Sequence, residues 1–170
     1  MTGSSAYPPS QEGAVYTTPD YSAKPVALRG QESLGGLLLI LAGIAAGIAL
    51  LLDWLDGEEV SGWGLVREGF EDLGTIFDTG LWQPLAIVLG GGVLFLLGIL
   101  MWLPMRSHRT LGFLALLVTG AVIAGLLVPL ADADWDLGFF GPGFWCGIAV
   151  GVLGLLGSIK ALLTGPKYAR

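Results

Sequence analysis

Four uninterrupted apolar blocks constrain this chain more than anything else in it: Leu34 to Leu52, Pro84 to Pro104, Thr110 to Ala131 and Phe144 to Leu163. Each carries about the 20 residues that a helix rising about 1.5 Å per residue needs to cross about 30 Å of hydrocarbon. Composition agrees, since 54% of the 170 residues are hydrophobic and 13% charged, with a mean hydropathy of +0.74. That is about half the charge of an ordinary soluble domain. A membrane β-barrel would need at least about eight strands with polar alternation, whereas these blocks are apolar on every face. The expected fold is therefore all-α, an integral membrane four-helix bundle over residues 34–164, with outer loops 53–83 and 132–143.

Charge placement orients the bundle. Lys24 and Arg29 precede the first span, Arg106 and Arg109 lie between the second and third, and Lys160, Lys167 and Arg170 close the chain; only Arg67 lies on the other side. By the positive-inside rule both termini are expected in the cytoplasm, in the plasma membrane. The other side holds eleven carboxylates against that one base, a charge of about −10. A cleaved signal peptide is not expected, because the first block follows 33 polar residues and ends in Asp53-Trp54-Leu55-Asp56 rather than a small-residue cleavage site. The tail, 1–33, carries Pro8, Pro9, Pro19 and Pro25 and too little apolar surface to fold alone. Residues 165–170 form a short second cytoplasmic tail.

In lipid, helices associate through close van der Waals approach, which small residues permit. Fifteen of the 28 glycines lie inside the spans. The expected packing positions are Gly43 and Gly47, Ala121 and Gly125, and the stripe Gly147, Gly151, Gly154 and Ser158, which could face this chain's own helices or another subunit. Gly90-Gly91-Gly92 points three ways, so a bend or a close neighbour is expected there. Trp54, Trp82, Trp102, Trp135 and Trp145 flank the spans as interfacial aromatics. The five-residue link Met105 to Arg109 makes spans two and three an antiparallel hairpin. In the first outer loop, Val66, Phe70, Leu73 and Phe77, with Leu65 and Ile76 beside them, predict an amphipathic helix over Ser61 to Asp78. Its polar face is acidic, so the stripe is expected to cap the bundle or meet a partner rather than bind headgroups electrostatically. An acidic Trp-bearing loop and a Gly-rich helix entered through Trp occur in both halves, which either a duplication or convergence on interfacial Trp would produce.

The chemistry-bearing residues are few. No ionisable residue sits at the centre of a span, where it would cost at least about 2.5 kcal/mol. Lys160 lies close enough to a span end to snorkel, and Thr119 and Ser158 can bond back to their own helices. One histidine, His108, cannot build a haem pair or a three-ligand zinc site, and one cysteine, Cys146, allows no internal disulfide. Asp132-Ala133-Asp134-Trp135-Asp136-Leu137-Gly138 resembles the start of a calcium loop, but its glycine is one place late and Gly143 stands where a bidentate Glu is needed. Asp53, Asp56, Asp132, Asp134 and Asp136 are read instead as a solvated acidic rim that would attract a basic extracytoplasmic partner. No catalytic constellation, cofactor site, metal site or nucleic-acid surface is expected.

Gly138-Phe139-Phe140-Gly141-Pro142, followed by Trp145 at the mouth of a Gly-rich helix, with Gly165-Pro166 near the end, resembles the small four-helix subunit of actinobacterial cytochrome oxidase. The chain departs from that subunit in its long acidic outer loop and long N-terminal tail. The resemblance implies a non-catalytic accessory subunit beside a respiratory cytochrome bc and oxidase core, with other membrane subunits and lipid as partners and no haem or copper of its own. A small oligomeric transport or channel component with an acidic vestibule is the second reading. A claudin-like adhesion protein ranks third, because the first outer loop lacks the cysteine pair of that pattern.

Overall fold

Proline marks both ends of the second span and the start of the fourth in the computed structural model, which describes residues 27–28, 33–57, 59–103, 109–164 and 167–168. The long helices are α1 (Ser33–Leu51), α3 (Trp82–Trp102), α4 (Arg109–Asp132) and α5 (Pro142–Leu163), with a short α2 (Gly62–Glu71) between the first two. Helix α3 starts two residues before Pro84 and α5 starts on Pro142, because a helix's first turn needs no N–H from those positions. At the other end of α3, Leu103 is already extended, with ψ 139°, as expected of a residue followed by proline. Two-residue strands β1 (Ala27–Leu28) and β2 (Lys167–Tyr168) pair antiparallel, bringing the segments before α1 and after α5 together. The remainder of the 1–33 and 165–170 tails, and Pro104 to His108 of the hairpin link, lie outside the described residues.

The four long helices form a ring in which α1 packs on α3 and α5, and α4 on α5 and α3. Glycine makes each seam. Between α1 and α3, a Cβ on Gly36 would sit 2.8 Å from the Gly98 carbonyl and one on Gly98 2.7 Å from the Gly36 carbonyl. Further along, Gly43 meets Phe95 and Gly91 meets Ala46, so both helices use a seven-residue spacing. Gly90 receives Val122 of α4, Gly91 faces α1, and Gly92 is open, so the glycine triplet serves two seams without ending the helix. On α5, Gly147 and Gly151 lie on Leu126, Gly154 on Thr119 and Leu94, and Gly157 on Leu39; Ser158 is fully buried. The α5 stripe therefore faces this chain's own bundle. Gly125 packs on Gln83 and Ala86 of α3. Gly47 and Ala121 do not join these seams: nothing approaches within 4 Å of a Cβ on Gly47, and both residues are exposed. Spacing of four brings two residues to neighbouring positions on a helix but does not say which lies at the centre of the contact.

The interior is apolar. Leu39, Ile87, Leu94, Met101, Val122, Val150 and Phe144 fill it, and the buried polar residues among those described are Thr119 and Ser158. Each hydroxyl donates to a carbonyl of its own helix, Thr119 Oγ1 to Ala115 at 2.7 Å and Ser158 Oγ to Leu155 at 3.0 Å, so neither costs an unmet hydrogen bond. Only 33% to 39% of the most apolar stretch of each long helix is buried, and the outward remainder is still Leu, Ile, Val, Phe and Trp. A surface of that kind requires lipid. This is a multi-pass membrane protein.

Helix α2 is shorter than the Ser61 to Asp78 span expected. Ser61 caps it by accepting from the Gly64 N–H at 3.3 Å, and it stops at Asp72, ahead of Gly74 and the β-branched Thr75, both poor helix formers. Its stripe also divides. Val66, Gly69 and Ile76 are buried near Leu85 at the head of α3, whereas Phe70, Leu73 and Phe77 remain exposed.

The seams predict opposite outcomes at two positions one helical turn apart. Gly43→Ala is expected to lose about 1–3 kcal/mol through overpacking against Phe95, while Gly47→Ala gains up to about 1 kcal/mol of helix propensity. Reversible unfolding of the two variants in mixed micelles measures both.

Candidate functional site

At the end of the bundle that carries the acids, the chain leaves α1 and must satisfy the last carbonyls of that helix, which have no intrahelical donor. Trp54 folds back and donates its Nε1–H to the Ala49 carbonyl at 2.7 Å. It is 5% exposed, so it is not the interfacial aromatic the sequence leads one to expect. Burial became favourable because its one polar atom found that carbonyl. Three glycines let neighbouring backbone close around the ring: a Cβ on Gly62 would lie 2.5 Å from Nε1, one on Gly143 2.5 Å from Cδ1, and one on Gly141 2.6 Å from the Asp53 carbonyl. Phe144 meets Trp54 edge-on with centroids 6.4 Å apart, and Phe140 stacks on Phe144 at 3.9 Å. Together these rings plug the end of the bundle.

Backbone hydrogen bonds tie both outer loops to the same segment. Trp54 donates to Val60 at 3.0 Å and Gly62 to Leu52 at 3.1 Å, joining the turn before α2. From the second loop, Gly141 donates to Trp54 at 2.9 Å and Gly143 to Asp53 at 2.8 Å, while Asp56 donates to Phe139 at 3.1 Å. The two loops thus form one platform.

The acidic rim divides on this platform. Asp132, Asp134 and Asp136 line an open cleft of about 470 Å³ whose floor is Leu55, Pro129, Ala133, Phe139 and Phe140. Asp53 and Asp56 are exposed but do not line it. Local structure explains each aspartate of the cleft. Asp132 ends α4; Asp136 accepts from the Gly138 N–H at 2.9 Å and so caps the 3₁₀ turn Leu137–Phe139. Asp134 takes the left-handed position, φ 50°, of a helix-ending motif in which Trp135 donates to Leu130 at 2.9 Å and Asp134 to Ala131 at 3.1 Å. Glycine is the usual residue there, and Trp135 follows it with φ 64°. That conformation turns Trp135 outward into exposure. Elsewhere Trp82 is half-buried beside Phe77, Trp145 is exposed, and Trp102 at the opposite end donates to the Ser33 carbonyl at 3.4 Å.

Chemically the cleft offers carboxylates above an apolar floor. Among the described residues no group of three or more His, Cys, Asp or Glu is placed to hold a metal ion. Cys146 is a free, partly buried thiol one turn into α5. No family model, curated protein or solved structure matches this chain. The platform's chemistry is read from its own residues. Its exposed carboxylates would each add at most about 1 kcal/mol to the binding of a cationic segment, screened beyond about 8 Å at physiological salt. Among the described residues, Arg67 Nε pairs with Glu71 Oε1 at 2.8 Å, and that hydrogen bond holds the Arg67 guanidinium above its ordinary pKa.

The rim is legible in the amino-acid sequence and the aromatic plug is not. Gly62, Gly141 and Gly143 were its signal, lying beside aromatics outside the spans. Trp54→Phe should cost about 1–3 kcal/mol by stranding the Ala49 carbonyl, and Trp54→Ala about 3–5 kcal/mol. Near-ultraviolet circular dichroism through a thermal melt in detergent reads both losses.

Proposed function

We propose that this membrane protein is a non-catalytic accessory or assembly subunit of a larger plasma-membrane complex, with both termini in the cytoplasm and the acidic platform outside. A respiratory cytochrome bc and oxidase supercomplex is the leading candidate, on the resemblance carried by residues 138–145. The observation that carries the reading is the apolar interior, packed on this chain's own glycine seams. Among the described residues, side chains and backbone of this chain's own helices meet the glycines at each seam, the buried hydroxyls donate to their own helices, and Trp54, Phe140 and Phe144 lie packed together at one end. Such a bundle has its working surfaces on the outside.

Two surfaces suit subunit contact. One is the cleft with its acidic rim, complementary to a basic extracytoplasmic segment. The other is the exposed side of α4, where Gly120 and Ala121 would let a partner helix approach closely. The orientation rests on the positive-inside rule, with Arg109 and Lys160 at the end opposite the platform.

The test is purification of the tagged protein from its native membrane in gentle detergent, with mass spectrometry and a visible spectrum of what accompanies it. Haem bands and oxidase subunits at fixed stoichiometry are expected. Gly120→Leu should release them while leaving the isolated bundle's melting temperature unchanged. A homo-oligomer without partners would overturn the proposal.

A further inference from the structure

Helix α2 lies across the end of the bundle rather than along it. Its first residue, Gly62, sits on the end of α1, where a Cβ would lie 2.5 Å from the Ala49 carbonyl and 2.9 Å from Leu50 Cα. Gly69 sits on Leu81 and Leu85 at the start of α3, at 3.4 Å and 2.7 Å. Seven residues of helix advance about 10 Å, which is the usual spacing of two packed helices. Both contacts are at the ends of spans, so α2 bridges neighbouring spans at one depth, parallel to the membrane plane.

Around α2 the chemistry changes in three sectors. Gly62, Leu65, Val66 and Gly69 face the bundle. Arg67, Glu68 and Glu71 occupy the opposite side, all exposed. Trp63 and Phe70, seven residues apart and so on one flank, lie between these sectors and are 60% and 53% exposed. Past the helix end Leu73 and Phe77 are exposed too, Phe77 at 79% with its ring 6.3 Å from that of Trp82, the first residue of α3. The flank thus lies at the ends of the spans and reaches the head of α3 through the Phe77 contact with Trp82.

We propose that this flank is inserted into the lipid interface on the platform side, making α2 an in-plane anchor. Lipid is favoured over a protein partner because depth, orientation and sector order all match an interfacial helix, with apolar residues toward the acyl chains and charge toward water. The polar sector is acidic apart from Arg67, so insertion rests on apolar burial and needs no anionic lipid.

Nitroxide labels at Trp63→Cys, Phe70→Cys and Phe77→Cys, each in a Cys146→Ala background and in phosphatidylcholine vesicles, test this, with Glu68→Cys as the water-facing control. Collisions with oxygen should exceed those with a nickel chelate several-fold at the three flank sites, and the order should reverse at Glu68. Nickel-dominated collisions at the flank would place it in water and overturn the proposal. Shielding from both probes, with dipolar broadening between labelled copies, would mean that a second copy covers the flank and would overturn it equally. A label-free readout stands beside these: brominated phosphatidylcholine should quench the unsubstituted protein more than Trp63→Phe, and equal fractional quenching of the two would count against insertion.

Discussion

Lipid gives helices no reason to hide apolar surface from it, so the architecture depends on how closely backbones can approach one another. In this protein that approach is made by glycine at each seam of the ring. Gly36 and Gly98 bring α1 and α3 together carbonyl to Cα, Gly125 seats α4 on α3, and the α5 run from Gly147 to Gly157 receives leucines from α3, α4 and α1. Leucines and valines on facing helices then pack against those glycines. The apolar interior, the outward apolar belt and long helices that carry no polar face are three consequences of that one constraint.

The plug depends on the same device used outside the spans. A tryptophan beside a helix end normally faces the interface, yet here Gly62, Gly141 and Gly143 allow two loops to close around Trp54. Once the ring is enclosed, the loops share its backbone and become a single platform. Two faces of different chemistry follow: an acidic cleft over aromatic residues on one side, and the Trp63 and Phe70 flank on the other.

Much of the fold was legible in the amino-acid sequence. Apolar length located all four spans to within two residues, and the remaining error at α3 and α5 came from starting them at or after proline, when a first turn accommodates it. The rim was legible because charge cannot be buried cheaply, so Asp132, Asp134 and Asp136 had to be at the surface. The cleft beneath them was not, since Leu55, Pro129, Phe139 and Phe140 come from three separate segments. Periodicity also failed to divide the α2 stripe, because a wheel shows which residues share a face and not how much of that face a neighbour covers. Trp54 was misplaced for a related reason. Whether an indole is interfacial or buried depends on a carbonyl and three glycines supplied by tertiary contacts.

The most direct test of the apolar interior is cation and proton flux through the purified protein in liposomes, compared with protein-free vesicles under the same gradient. Flux equal to that of the empty vesicles is predicted. Saturable cation flux that falls when Asp132, Asp134 and Asp136 become Asn would contradict the account and make the acidic cleft the mouth of a pathway.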